Sequence, residues 1–124
     1  MSVSPLGFTK RARLLTRQDF DRVFAQASRS VDNCFTVLAR QNGRDGPRLG
    51  LAIARKHAKA AVARNRLKRL VRESFRHHQQ DLGTLDLVVL GRQGVARHDN
   101  DAVMASLERH WNRLQKQCKA SSSY

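Results

Sequence analysis

Acidic side chains are scarce in this sequence: 10 Asp and Glu stand against 24 Lys and Arg among 124 residues, for a net charge of +14. The ten acids are also scattered, without the clustering by which a protein nuclease holds divalent metals. Asp19/Asp21 and Asp99/Asp101 are pairs two residues apart near expected helix starts, so they point to different faces and suit capping. His57, His77, His78, His98 and His110 show no ligand spacing and read as surface positions. A His/His acid–base ribonuclease thus finds no positive support. Cysteine is nearly absent. Cys34 and Cys118 lie far apart, with neither zinc spacing nor a disulfide framework, so a reducing cytoplasm is expected. No apolar run approaches the roughly 20 residues of a membrane span. The N-terminal MSVSPLGFTKRAR has charge but no apolar stretch behind it, so no secretory signal is expected.

Repeats and long linkers are missing as well, so a single domain is expected over residues 1–118, with a polar, disordered tail at 119–124. Residues 1–15 read as a basic arm carrying Lys10, Arg11 and Arg13. Thr16-Arg17-Gln18-Asp19 fits a capping box, and Phe20, Val23, Phe24 and Ala27 share one face of a helix from about Arg17 to Ala27. Cys34–Ala39 is apolar and β-branched, the turn residues of 41–47 should close a hairpin, and Arg48–Ala54 would be its return strand. A further short strand around Ser30–Asn33 has thin support. A helix over Ala58–His78 follows, then a buried strand at Asp86–Leu90. Asp99 or Asn100 can cap a last helix whose Val103, Leu107, Trp111, Leu114 and Cys118 form an apolar stripe. The order predicts an α+β sandwich, helices packed on a small mixed sheet.

Residues 55–76 (RKHAKAAVARNRLKRLVRESFR) hold nine Lys or Arg against the single acid Glu73, more than half of the net charge. At about 100° per residue, Ala60, Ala63, Leu67, Leu70 and Val71 share one face, with Phe75 at its margin. Asn65, Lys68, Arg69, Arg72 and Arg76 oppose them, with Arg66 a little beyond. An ordinary solvated face intersperses Glu with Lys, because like charges four apart repel. Here Arg64, Lys68, Arg72 and Arg76 follow one another at that spacing with no acid in the row. Such a row points to a polyanion, RNA before anionic membrane or acidic protein, and the planar guanidinium suits phosphate. A DNA-binding module is disfavoured, since no helix-turn-helix turn or dimer element is apparent. Gly91-Arg92-Gln93-Gly94 matches the GxxG loop of KH domains only weakly, because it follows a strand.

The stretch AVARNRLKRLVRESFR resembles the signature of the bacterial ribonuclease P protein family, whose hallmark is Arg-Asn-Arg inside a basic helix. Arg64-Asn65-Arg66 stand at that motif, followed by Lys68, Arg69, Arg72, Glu73 and Phe75 in the family's order. The upstream Phe20/Phe24 helix, the strand leading into Arg55-Lys56, and the downstream strand and helix extend the likeness over nearly the whole chain. The resemblance implies an α/β sandwich of about four strands and three helices with a left-handed βαβ crossover, where the residues alone predict a right-handed one. It implies an endoribonuclease whose RNA subunit is the catalyst, removing the 5′ leader of precursor tRNA with Mg²⁺ held mainly by the RNA and none by the protein alone. Carried over, Arg55, Lys56, Arg64, Asn65, Arg66, Lys68, Arg69 and Arg72 would contact the RNA subunit. Phe20, Phe24, Phe35 and Leu38 would line the leader cleft. Two phenylalanines four apart are core in most proteins, whereas the resemblance implies that at least one ring is partly exposed. Leu38 stands where some members carry an aromatic, so stacking there is expected to be weaker. A non-enzymatic RNA binder of ribosomal or chaperone type, using the same helix, is the alternative.

Overall fold

A computed structural model describes residues 16–121, with side chains through 118; the expected arm at 1–15 lies outside them. The elements among these residues are α1 (Arg17–Ala25), β1 (Ser28–Val31), β2 (Phe35–Gln41), β3 (Arg48–Ala52), α2 (Ala61–Leu82), β4 (Leu85–Gly91) and α3 (Asn100–Ser121), with a 3₁₀ turn at Val95–Arg97. They form the expected α+β sandwich with a four-stranded mixed sheet and three helices. α3 runs beyond the expected end of the domain at 118.

One expected pairing is corrected. β2 and β3 do not form a hairpin, because β4 lies between them in the order β1-β2-β4-β3, antiparallel to β2 and parallel to β3. The reason is burial. Leu85, Leu87 and Val89 face one core and Val88 with Leu90 face the other, so β4 must be covered on both sides and sheathed by two strands. The 41–47 segment therefore steps across the end of β4. Asn42 serves the crossing: its N–H donates to the Thr84 carbonyl at 2.8 Å, and its Nδ2 donates to Gly46 O and to Asp86 Oδ1. The hairpin instead joins β1 and β2, in register from Ser28↔Ala39 to Val31↔Thr36. Asp32 builds its turn, with Oδ1 accepting from the N–H groups of Cys34 and Phe35. The parallel neighbours β3 and β4 are joined through α2, and Gly83, at φ 61°, ends that helix in a conformation costly for other residues.

Strand alternation divides the core in two. On one face Phe35, Val37, Ala39, Leu49, Leu85, Leu87 and Val89 pack under α2 (Leu67, Leu70, Val71, Phe75) and α3 (Val103, Leu107, Trp111, Leu114, Cys118). Both ends of the expected apolar stripe of α3 are therefore buried, and Trp111 Nε1 also donates to Ser74 Oγ at 2.8 Å. On the other face α1 sets Phe20 and Val23 against Leu38, Val88 and Leu90. α1 starts as the capping motif predicts, with the Asp19 N–H donating to Thr16 Oγ1. An ion cluster then pins it to the sheet. Arg48 grips Asp86 through two bonds of 2.8 and 2.7 Å and reaches Asp19 Oδ1 at 3.2 Å. Burial alone would raise the Asp19 pKa, but Thr16 and Arg48 hold the carboxyl below its usual range.

His110 corrects the surface reading: it is wholly buried. Its Nδ1 lies 2.7 Å from Ser30 Oγ, which accepts from Arg113 Nη1 at 3.0 Å. Its Nε2 lies 3.1 Å from Asp32 Oδ1, without the alignment of a hydrogen bond. A proton on Nε2 faces the Asp32 carboxylate and leaves the Ser30 hydroxyl to donate to Nδ1. Burial, opposed by the Asp32 charge, lowers the His110 pKa, so the ring is neutral in the fold. Burial would raise Asp32, but bonds from Ser106, Phe35 and Cys34 hold it well below the usual carboxylate range.

Two outcomes follow. Arg48→Ala, which strands two buried carboxylates, should cost ~3–5 kcal/mol in urea unfolding, and a loss under 1 kcal/mol would contradict the pinning role assigned to the cluster. A histidine with a depressed folded pKa contributes fully above about pH 6.5 and loses that contribution as pH falls. The depressed Asp32 acts likewise below about pH 4. Stability should therefore decline from pH 7.5 to 5, and His110→Phe should flatten that decline while lowering stability at pH 7.5.

Candidate RNA interface

α2 is positioned by its aliphatic side, and its cations follow from that anchoring. Leu67, Leu70, Val71, Ser74 and Phe75 are buried, whereas Asn65, Arg69 and Arg72 are exposed and Lys68 and Arg76 are half-buried. Val62 heads the exposed side, 82% accessible. Among the described residues, Asn65, Lys68, Arg69, Arg72 and Arg76 make no side-chain hydrogen bond or ion pair, and no carboxylate pairs with any Lys or Arg of the helix. The ion pairs present involve Arg48, Arg109, His78 and His110 instead. The row at four-residue spacing therefore stands unneutralised.

Two arginines of the motif have structural duties as well. Arg64 Nη1 donates to the carbonyls of Ala58 at 3.0 Å and Lys59 at 2.7 Å, bracing the turn ahead of α2, where no side chain caps the helix. Arg66 donates to Asn100 Oδ1 at 2.6 Å and to the carbonyls of Ala96 and His98. It thereby ties α2 to the start of α3. All these acceptors are neutral, so both guanidinium groups keep their net charge for a partner. Periodicity placed Arg66 at the edge of the exposed face, but only the fold reveals what lies beside that edge.

The sheet face under α1 continues into an open cleft of about 700 Å³. Arg29, Thr36, Ala52, Lys56, His57, Lys68, Leu90, Gly91, Arg92 and Gln93 are among its lining residues, and no carboxylate is. Lys68 belongs to both the cleft and α2, so the two basic surfaces are continuous. Leu90 joins the cleft to the apolar cluster beneath α1. Arg55 is exposed in the turn that carries Lys56. Arg29, His57 and Arg92 were not singled out as binders. The Ser-Arg-Ser-Val alternation of β1 and the glycine-flanked Arg92 were the available signals, the second of them spent on a KH comparison that the strand–loop–3₁₀ context does not support.

The aromatic positions separate. Phe24 is 51% exposed and stacks at 6.5 Å on Phe20, which is half-buried, so one ring stands out as the resemblance implied. Phe35 is corrected. It is fully buried on the opposite face of the sheet, edge-on to His110, and cannot line a cleft beneath α1. The period of two decides this, since Phe35 and Leu38 differ by three residues and must face opposite ways. Leu38 does face α1 but is only 8% exposed, packed under Val23.

Residues 8–115 match the sequence profile of the family described as Ribonuclease P. The ribonuclease P protein component of Nitrosococcus oceani is 52% identical over 115 residues, covering 93% of this chain and 97% of the relative. That of Methylococcus capsulatus is 48% identical over 117 residues, covering 94% and 91%. Among solved structures, the Staphylococcus aureus RNase P protein superposes with a TM-score of 0.76 at 29% identity, covering 85% of this chain and 95% of that one. The Thermotoga maritima RNase P protein gives 0.71 at 36% identity, covering 82% and 96%. With a matching profile over most of its length and relatives near half identity, this chain belongs to the bacterial ribonuclease P protein family.

Proposed function

We propose that this ribonuclease P protein subunit works by electrostatic docking, with its RNA partner as the catalyst. The exposed side of α2 would neutralise phosphates of the RNA subunit, and the acid-free cleft with Phe24 at its approach would hold the single-stranded 5′ leader of precursor tRNA. The single observation that carries this reading is the continuity, through Lys68, of an unneutralised cationic helix with a basic cleft. Each phosphate contact releases condensed counterions, which is where the affinity would come from.

The protein's own groups favour assigning the chemistry to RNA. Among the described residues no three His, Cys, Asp or Glu side chains gather as a metal site requires. Asp19 and Asp86 are engaged by Arg48, and Asp32 by Ser106 and Arg109. These three carboxylates are committed to protein partners, and we assign the ion to the RNA subunit. Both cysteines are free and buried, with burial pushing their thiols up, which suits work in a reducing cytoplasm.

Added to ribonuclease P RNA at low Mg²⁺, the protein should stimulate cleavage of precursor tRNA, and no stimulation would overturn the proposal. If six to ten phosphates are contacted, its affinity for the RNA subunit should fall roughly 10³–10⁵-fold between 50 and 200 mM salt. Substitutions should divide by duty. Arg72→Ala should leave stability within about 0.5 kcal/mol and lower the salt slope by about one. Arg66→Ala should in addition cost ~1–3 kcal/mol in unfolding, because it abandons three acceptors. Phe24→Ala should weaken binding of leader-bearing substrate by ~1–3 kcal/mol and spare assembly. Equal effects of Arg72→Ala and Phe24→Ala on both steps would refute the division.

A further inference from the structure

Among the residues that line the cleft, His57 has its ring held in place by a backbone hydrogen bond. It sits in the turn after β3, where its N–H donates to the Ala54 carbonyl at 2.9 Å. Its Nδ1 in turn accepts from the Ala54 N–H at 2.9 Å. That bond occupies the Nδ1 lone pair, so the proton of the neutral ring must be on Nε2. Nε2 then has no lone pair to offer, which rules out metal ligation or general-base work in this state. On the same side, the ring is seated against the backbone of β4: a Cβ built on Gly91 would stand 3.1 Å from His57 Cβ, Cγ and Nδ1. Pinned along its Cγ–Nδ1 side, the imidazole has its Nε2–H end left for the cleft it lines. Burial and the neighbouring Lys56 hold its pKa below the ordinary value, so it offers phosphate little charge attraction.

The surrounding Arg29, Lys56, Lys68 and Arg92 suit phosphates and read no sequence. A rigid neutral ring with one fixed donor suits a base, which imidazole can stack upon or donate to. We propose that His57 is the base-contacting residue of this cleft, holding one nucleobase of single-stranded RNA while the cations around it hold the backbone. This rests on the leader-binding reading above and adds to it the residue that would give the cleft base sensitivity. Gly91 is part of the device, because a side chain there would displace the ring.

The test uses the protein reconstituted with ribonuclease P RNA, and measures affinity for precursor tRNA, for mature tRNA lacking the leader, and for precursors with one abasic site at successive leader positions. His57→Ala should weaken precursor binding roughly tenfold and leave mature tRNA binding and affinity for the RNA subunit unchanged. One abasic position should weaken the native protein comparably and have no further effect on His57→Ala, since coupled partners are non-additive. Gly91→Ala should reproduce part of the loss with the same abasic position silenced. Unchanged precursor binding in His57→Ala, an equal loss with mature tRNA, or full additivity at every abasic position would each overturn the inference while leaving the leader reading intact. A native protein that fails to distinguish precursor from mature tRNA would overturn both.

Discussion

Everything this protein offers a partner depends on α2 being held down hard enough to tolerate its own charge. Arg64, Lys68, Arg72 and Arg76 succeed one another at the spacing where like charges disfavour a helix by a few tenths of a kcal/mol per pair. On the other side Leu67, Leu70, Val71 and Phe75 are buried between the sheet and α3, and each fully buried side chain of this kind contributes about 1.5–3 kcal/mol. Packing therefore outweighs repulsion several-fold. The helix needs no neutralising carboxylates on its surface, and it has only Glu73 in that stretch. A less well-packed helix with this sequence would need counter-charges, and those would compete with RNA phosphates for the same guanidinium groups.

Three carboxylates serve the interior. Asp86 and Asp19 hold Arg48 at the junction of α1, β3 and β4, and Asp32 organises the β1–β2 turn while facing α3 through Ser106, Arg109 and His110. Seen from outside, a cationic helix and an acid-free cleft meet at Lys68. α1 is short, and it covers only part of its face of the sheet. The uncovered remainder is bordered by Arg29 from β1, Lys56 from the turn after β3 and Arg92 from the loop after β4, a convergence produced by topology.

How much of this was legible in the residues depended on range. The α2 and α3 faces could be read directly, because period 3.6 places Val103, Leu107, Trp111 and Leu114 on one stripe whatever the rest of the chain does, and all four are buried. The Thr16 cap was equally local, a side chain meeting an N–H three residues on. The resemblance carried by Arg64-Asn65-Arg66 supplied the family, but it did not sort the phenylalanines correctly. Phe35 and Leu38 cannot share a side of one strand, and alternation alone could have corrected that expectation before any coordinates were seen. His110 was beyond local reading, because its burial needs Ser30 and Asp32 from the far side of the sequence.

The sequence by itself determined an amphipathic cationic rod, the kinds of element around it and the class of partner, because periodicity and charge density are properties of neighbouring residues. Only the tertiary structure decided that β4 parts β2 from β3, that Arg66 fastens α2 to α3, and that His57 is fixed beside Gly91 at the mouth of a basic cleft. Those outcomes turn on which segments share a buried face. Residues thirty or more positions apart settle that by competing for the same core, and no local pattern records the result.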